Sequence, residues 1–233
     1  YTFRDIVLSR ETDRNRLALY RAGAKIDRSS SPSYTFFPSR VARNALSYAK
    51  TALWLTTLER HLGWDTLREI MATFFSRWQF KHPRPDDFFE TAASVTGHDL
   101  GWFFDQVYRS SDAFDYGVQD LKSLNEDGRF HTSAVVRRYG EAIFPVDVRV
   151  TFENGERTTE HWDGRGRWKV YAYDRPARAV SAEVDPNRVL LLDVNYTNNS
   201  RTLAPRGAEA ATKWSLKWMV WLQDLLLTWA FLA

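Results

Sequence analysis

A chain of 233 residues with 44% hydrophobic, 15% aromatic and 26% charged residues has enough apolar material for a folded core and too much for wholesale disorder. Its 32 Lys and Arg against 29 Asp and Glu leave a net charge of +3, and the basic residues, scattered from Arg4 to Lys217 among acids, form no concentrated tract of the kind that grips nucleic acid. The absence of cysteine excludes disulfides, a thiol nucleophile and a cysteine-ligated zinc.

The chain opens at Tyr1, and Arg4, Asp5, Arg10, Glu11 and Asp13 interrupt any apolar run there, so no signal peptide is read and the start points to a fragment or a processed product. Residues 1–28 fit one or two short amphipathic helices, and Ser29-Ser30-Ser31-Pro32-Ser33 reads as a loop. From Val41 the pattern turns helical: Leu46, Ala49, Leu53, Leu58 and Leu62 share one face, and Gly63 supplies a stop. Thr66-Leu67-Arg68-Glu69 matches a capping box that would open a second helix, with Leu67, Ile70, Met71, Phe74 and Trp78 as its apolar side. Pro83 and Pro85 break that helix, Asp86 and Asp87 favour a new start, and Gly97 ends the third helix. A fourth is expected from Asp99 to about Arg109.

After Tyr116 the period changes. Phe144, Val146, Val148, Val150 and Phe152 alternate with polar residues, which is the pattern of a half-buried strand, and Asn154-Gly155 follows as a hairpin turn. Further strands are expected at Val118–Leu124, Phe130–Arg138, Arg157–Trp162, Trp168–Tyr173, Arg178–Val184 and Val189–Val194, with turns at Asp127-Gly128, Asp163-Gly164 and Asp185-Pro186-Asn187. The fold class is therefore α+β: a helical part over 1–116, a small β-sandwich over 117–196, a polar linker over 197–212 and a hydrophobic, Trp-rich helix over 213–233. The last segment holds Trp214, Trp218, Trp221 and Trp229 beside Lys213 and Lys217, with Gln223 and Asp224 near its middle. It is expected either to meet a membrane, on its surface or across it, or to dock on the sandwich or a partner.

Chemistry-bearing motifs are sparse. The five histidines, His61, His82, His98, His131 and His161, never have the i, i+4 spacing that sets two imidazoles on one helix face for zinc, and no HExxH occurs. His61 reads as a cation at a helix C-terminus and His82 as a loop residue. Gly164-Arg165-Gly166 lies between strands and reads as a turn, not a phosphate cradle. Asp86, Asp87, Asp105, Asp112 and Asp115 could supply a general acid and base, but capping and solvation explain them more simply.

Three segments nevertheless occur in a telling order. The run from Ser47 through Tyr48-Ala49-Lys50-Thr51 to Leu62-Gly63 resembles the tyrosine-bearing helix of the gluzincin zinc aminopeptidases, the aminopeptidase N and leukotriene hydrolase type, with Thr51 where the family commonly has Gly. Trp78-Gln79-Phe80-Lys81-His82-Pro83 and Asp86-Asp87-Phe88-Phe89 resemble the family's next inter-helix segment, and Asp99-Leu100-Gly101-Trp102-Phe103-Phe104-Asp105-Gln106 its Asp-Leu-x-Trp-Phe-Phe-x-Gln signature. The resemblance covers Tyr48 to Tyr116. It implies the C-terminal part of a thermolysin-like catalytic domain followed by the family's small β-domain, in an enzyme that hydrolyses N-terminal peptide bonds. It also implies a zinc whose two His, catalytic Glu and third ligand would all precede Tyr1, so that this chain by itself would bind no cofactor and be inactive. Tyr48 takes the role of hydrogen-bond donor to the oxyanion that grows on the substrate carbonyl, a role a phenol can fill because its ordinary pKa of about 10 keeps it protonated. Peptide substrates and the missing N-terminal part of the enzyme are then its partners. The alternative is a non-catalytic binding or membrane-tethered scaffold derived from that fold.

Overall fold

The computed structural model describes residues 16–22, 44–204 and 207–230. Of the helices expected over 1–28, residues 16–22 are helical and bury Tyr20; the rest of that stretch, the serine-rich loop and the start of the next helix at Val41 lie outside the described residues. A π-helical segment, Asn44–Lys50, runs into α1, Thr51–Leu62, which buries Leu53, Trp54, Thr57 and Leu58. Gly63 stops it: at φ 89° its N–H still donates to the Glu59 carbonyl at 2.7 Å while the chain turns away.

α2, Trp64–Trp78, follows at once, and here the expected capping box does not form. The helix starts two residues before Thr66, with Gly63 as its N-cap and no side-chain cap bond, because the Gly63 carbonyl already accepts the Leu67 N–H at 3.2 Å and leaves Thr66 inside the first turn. α3, Pro85–Thr96, begins as its sequence predicts: Pro85 stands in the first turn and the Asp87 carboxylate accepts the Arg84 N–H at 2.6 Å. The fourth expected helix is split into α4, Gly101–Phe104, and a π-helical segment, Asp105–Arg109.

Seven strands form two antiparallel sheets: β1 Tyr116–Glu126, β2 Arg129–Arg138, β3 Val146–Phe152, β4 Arg157–Trp162, β5 Trp168–Arg175, β6 Ala179–Val184 and β7 Ser200–Thr202. The orders are β1-β2-β5 and β4-β3-β6-β7. Asp127 and Gly128 both take positive φ, 51° and 81°, the geometry that matches strand twist in a two-residue hairpin and pairs Glu126 with Arg129. β3 buries Val146, Val148, Val150 and Phe152 in strict alternation. The Ser123 hydroxyl on β1 accepts the Ala179 N–H of β6 at 3.2 Å, a direct tie between the sheets.

Two expectations fail beyond Val184. Residues 189–194 bury Leu190 and Leu192, as their periodicity suggests, but form no strand. Their backbone is satisfied by side chains instead of a ladder. The Asp185 carboxylate accepts the N–H groups of Val189 and Leu190 at 2.8 and 2.9 Å, and the Thr57 hydroxyl accepts that of Leu191 at 3.1 Å, leaving an isolated bridge between Phe114 and Asp193. The expected linker over 197–212 instead contains β7 and the start of the last helix, α5, Gly207–Ala230. The carbonyls of Asn198 and Asn199 hold this segment to the sheets by accepting the N–H groups of Val118 and Val184 at 2.8 and 2.7 Å. Among the described residues no helix is long and apolar enough to cross a membrane. A charged residue such as Asp224 near a segment's centre costs about 2.5–3.5 kcal/mol on insertion scales.

The buried apolar side chains make one cluster that runs from the helices into both sheets. Trp54 meets the rings of Phe88, Phe103 and Phe104, and Phe103 in turn meets Phe144, which leads into β3. Each such ring, fully buried, is worth roughly 1.5–3 kcal/mol of transfer free energy. At the junction of helices and sheets the chain also packs backbone on backbone. Gly164 sits at φ 72°, where a Cβ would lie 2.6 Å from the Tyr116 hydroxyl and would strike the Phe144 carbonyl. Gly164→Ala is therefore expected to destabilise the protein by about 1–3 kcal/mol through backbone strain and overpacking, read as a lower urea midpoint with an unchanged m-value.

Candidate functional site

The π-helical segment Asn44–Lys50 has a sharp division of labour. Leu46, Ala49 and Lys50 are buried, whereas Tyr48 between them is 72% exposed. A wide turn that turns a single aromatic outward against buried neighbours is the kind of local irregularity that recurs at functional sites. Lys50 anchors the segment from below, its ammonium donating to the Ser110 carbonyl at 3.3 Å. Ser110 directly follows the second π-helical segment, so the two irregular turns are tied together. Between them lies a cleft of ≈ 120 Å³ lined by Ser47, Lys50, Thr51, Trp54, Val107 and Tyr108. Burial, with Asp86 nearby, pushes the Tyr108 phenol pKa up, against the pull of Arg109.

Four of the candidate acids, Asp86, Asp87, Asp105 and Asp115, have structural partners, and Asp112 is exposed. Arg109 bridges Asp86 and Asp105 and lies 5.4 Å from the centre of the Phe89 ring. Asp87 caps α3, and Asp115 accepts the Asn198 amide at 2.8 Å. Arg109 thus brings Asp86 and Asp105 to one guanidinium, where both serve as its counter-charges. The signature around Trp102 is likewise architectural. Asp99 caps Gly101 at 2.7 Å, Phe103 and Phe104 are core, and the Gln106 amide pairs with both backbone groups of Ile143, at 2.9 and 2.5 Å, pinning the helices to the chain that enters β3.

Two of the histidines, His61 and His161, lie near each other. His61 does sit in the last turn of α1, but it stands against the rings of Phe144 and Trp102, at 5.3 and 6.0 Å, and partial burial together with nearby His161 lowers its pKa, which disfavours the cation. His161 faces Asp147 at 3.2 Å and His131 faces Glu126 at 3.9 Å. Among the described residues no group of three His, Asp or Glu could hold a metal ion. The Gly164-Arg165-Gly166 turn aims a carbonyl inward, not its N–H groups: Gly164 accepts from the buried Arg138 guanidinium at 2.9 Å. Sequence reasoning missed Arg138, Asp185 and Asp193, buried charges held by hydrogen bonds: Asp185 by the nearby Val189 and Leu190 N–H groups, Arg138 by the carbonyls of nearby Gly140 and Glu141 and of distant Gly164, and Asp193 by nearby Asn195 and Asn199 and the distant Tyr116 N–H. The turn at Asp185-Pro186-Asn187 was the available signal for Asp185; nothing local marked the other two.

No family model matches the chain, and no curated protein matches it. Among solved structures it is similar to Legionella pneumophila aminopeptidase A, solved in complex with aspartic acid, with a TM-score of 0.50 at 14% sequence identity, over 70% of this chain. The chain shares its fold with part of an aminopeptidase. It spans 19% of that structure, about a fifth of its length, and at this identity the likeness concerns fold alone.

Proposed function

We propose that this chain is the C-terminal part of a zinc-dependent aminopeptidase that hydrolyses N-terminal peptide bonds, with Tyr48 donating a hydrogen bond to the oxyanion of the substrate carbonyl. In this reading the helices complete a thermolysin-like catalytic domain of gluzincin type, and the two sheets are its small β-sandwich domain. The observation that carries it is the Tyr48 phenol, turned outward by buried neighbours on a π-helical turn, in a chain that shares its fold with part of an aminopeptidase. In this reading the metal and its ligands belong to another part of the enzyme, and the work of these residues is to hold the donor still. The Lys50 anchor and the burial of Leu46 and Ala49 supply that rigidity, which a preorganised donor requires.

The experiment is an aminoacyl-dye assay of the complete enzyme, wild type against Tyr48→Phe. Loss of turnover with substrate binding retained supports the role of Tyr48. An unchanged rate removes Tyr48 from the chemistry, and a complete wild-type protein that releases no dye removes the peptidase reading and leaves the scaffold.

A further inference from the structure

The helix α5 ends the described chain with its apolar surface in solvent: Trp214, Trp218, Met219, Val220, Trp221 and Leu226 are each 55–66% exposed. Its sequence is patterned. At about 100° per residue the positions of Lys213, Lys217, Asp224 and Thr228 fall on one narrow strip of the helix, and from Lys213 to Ala230 the remaining positions are apolar apart from Ser215 and Gln223. Trp214, Trp218 and Trp221, at i, i+4 and i+7, run along one side of the apolar arc, with the rings of Trp218 and Trp221 5.3 Å apart at 76°.

That arc covers most of the helix circumference. A coiled-coil partner covers a seam of two positions in seven, so a second copy of this helix would leave most of the tryptophan and aliphatic surface wet. A medium that surrounds the helix on three sides and tolerates an indole N–H at its boundary fits the pattern, and the bilayer interface is such a medium. With Glu209 and Asp224 against Lys213 and Lys217 the helix is neutral as a whole, and its two lysines, one turn apart, are the charges that meet anionic headgroups.

We propose that α5 docks flat on the surface of a lipid bilayer, with the Lys213-Lys217-Asp224-Thr228 strip toward water and the tryptophan side in the boundary between headgroups and acyl chains. The proposal does not depend on the peptidase reading. It is tested by flotation of the whole chain with vesicles of phosphatidylcholine and phosphatidylglycerol, and with phosphatidylcholine vesicles as the neutral comparison. The chain is expected to float with the mixed vesicles, less with the neutral ones, and to be released by alkaline carbonate. The triple variant Trp214→Ser, Trp218→Ser, Trp221→Ser is expected to lose at least about tenfold in partitioning. These side chains lie outside the core, so its melting temperature should match wild type; a single Asp224→Lys change should strengthen binding to the mixed vesicles. A chain that stays soluble with both vesicle types, a triple variant that floats like wild type, or retention through carbonate extraction would overturn surface docking. So would a stable dimer in solution that does not float, which would assign the helix to a second copy.

Discussion

Replacing Tyr48 by Phe in the complete enzyme is expected to lower kcat by about 10²–10³ while leaving KM close to wild type. The size follows from the loss of a single preorganised oxyanion donor, which costs about 2.7–4 kcal/mol of transition-state stabilisation. The split between kcat and KM follows because charge on the carbonyl oxygen develops in the transition state and is largely absent in the bound substrate. Stability should not move with it. Tyr48 is 72% exposed and the packing around it is carried by Leu46, Ala49 and the Lys50 bond to Ser110, none of which the loss of a hydroxyl disturbs. A thermal melt superimposable on wild type, beside the fall in turnover, separates a role in chemistry from a structural one. A fall in kcat with an equal fall in melting temperature would point to structure instead.

The largest effect on stability is expected at Asp193. This carboxylate is 1% exposed and accepts three hydrogen bonds: from the N–H of Tyr116 at 3.2 Å, the N–H of Asn195 at 2.8 Å and the Asn199 amide at 3.0 Å. It thereby ties the start of β1 to the irregular chain that precedes β7. Asp193→Ala would strand these donors in a dry site, where each unsatisfied buried group costs about 1–3 kcal/mol, so a loss of about 3 kcal/mol or more is expected in urea unfolding. Asp193→Asn keeps one acceptor oxygen and the shape, and should cost less.

The same residue makes a pH prediction. Burial pushes the Asp193 pKa up to about 6 from an ordinary 3.8, outweighing its three hydrogen bonds. The folded state therefore holds this proton more tightly than the unfolded chain does. Its stabilising contribution is complete below the unfolded pKa and is lost as pH rises through the folded one, so stability falls between about pH 4 and 7. The loss from this group is about 3 kcal/mol for a shift of this size. Asp185 and Asp115 are shifted in the same direction, by burial, and add to the slope. Asp193→Asn cannot titrate, so its urea midpoint should vary less with pH than wild type over that range. Parallel curves would mean that Asp193 stays charged in the folded protein.

Much of the helical part and several turns could be read locally. The stop at Gly63, the start at Pro85 with Asp87, the Asp127-Gly128 hairpin and the alternation of β3 each depend on a few adjacent residues whose backbone preferences or periodicity state the outcome. The capping box at Thr66 misled because Gly63 offered an earlier start, and His61 misled because the rings that surround it come from 41 and 83 residues further along the chain. Tyr48 was identified by resemblance; its outward position and the tie from Lys50 to Ser110 could not be, since they depend on a π-helical register and on a contact 60 residues away.

By itself, then, the sequence determined an α+β chain with a helical part, period-two strands and a Trp-rich apolar last helix, because these follow from short-range spacing of apolar residues and from turn chemistry. The tertiary structure alone decided that residues 189–194 are irregular, that the expected linker carries a strand, and that Asp193 and Arg138 are interior charges. The reason is that a buried N–H or carbonyl pairs with whatever partner the fold brings to it. A threonine hydroxyl 134 residues away serves Leu191 as well as a neighbouring strand would, and no local pattern records that choice.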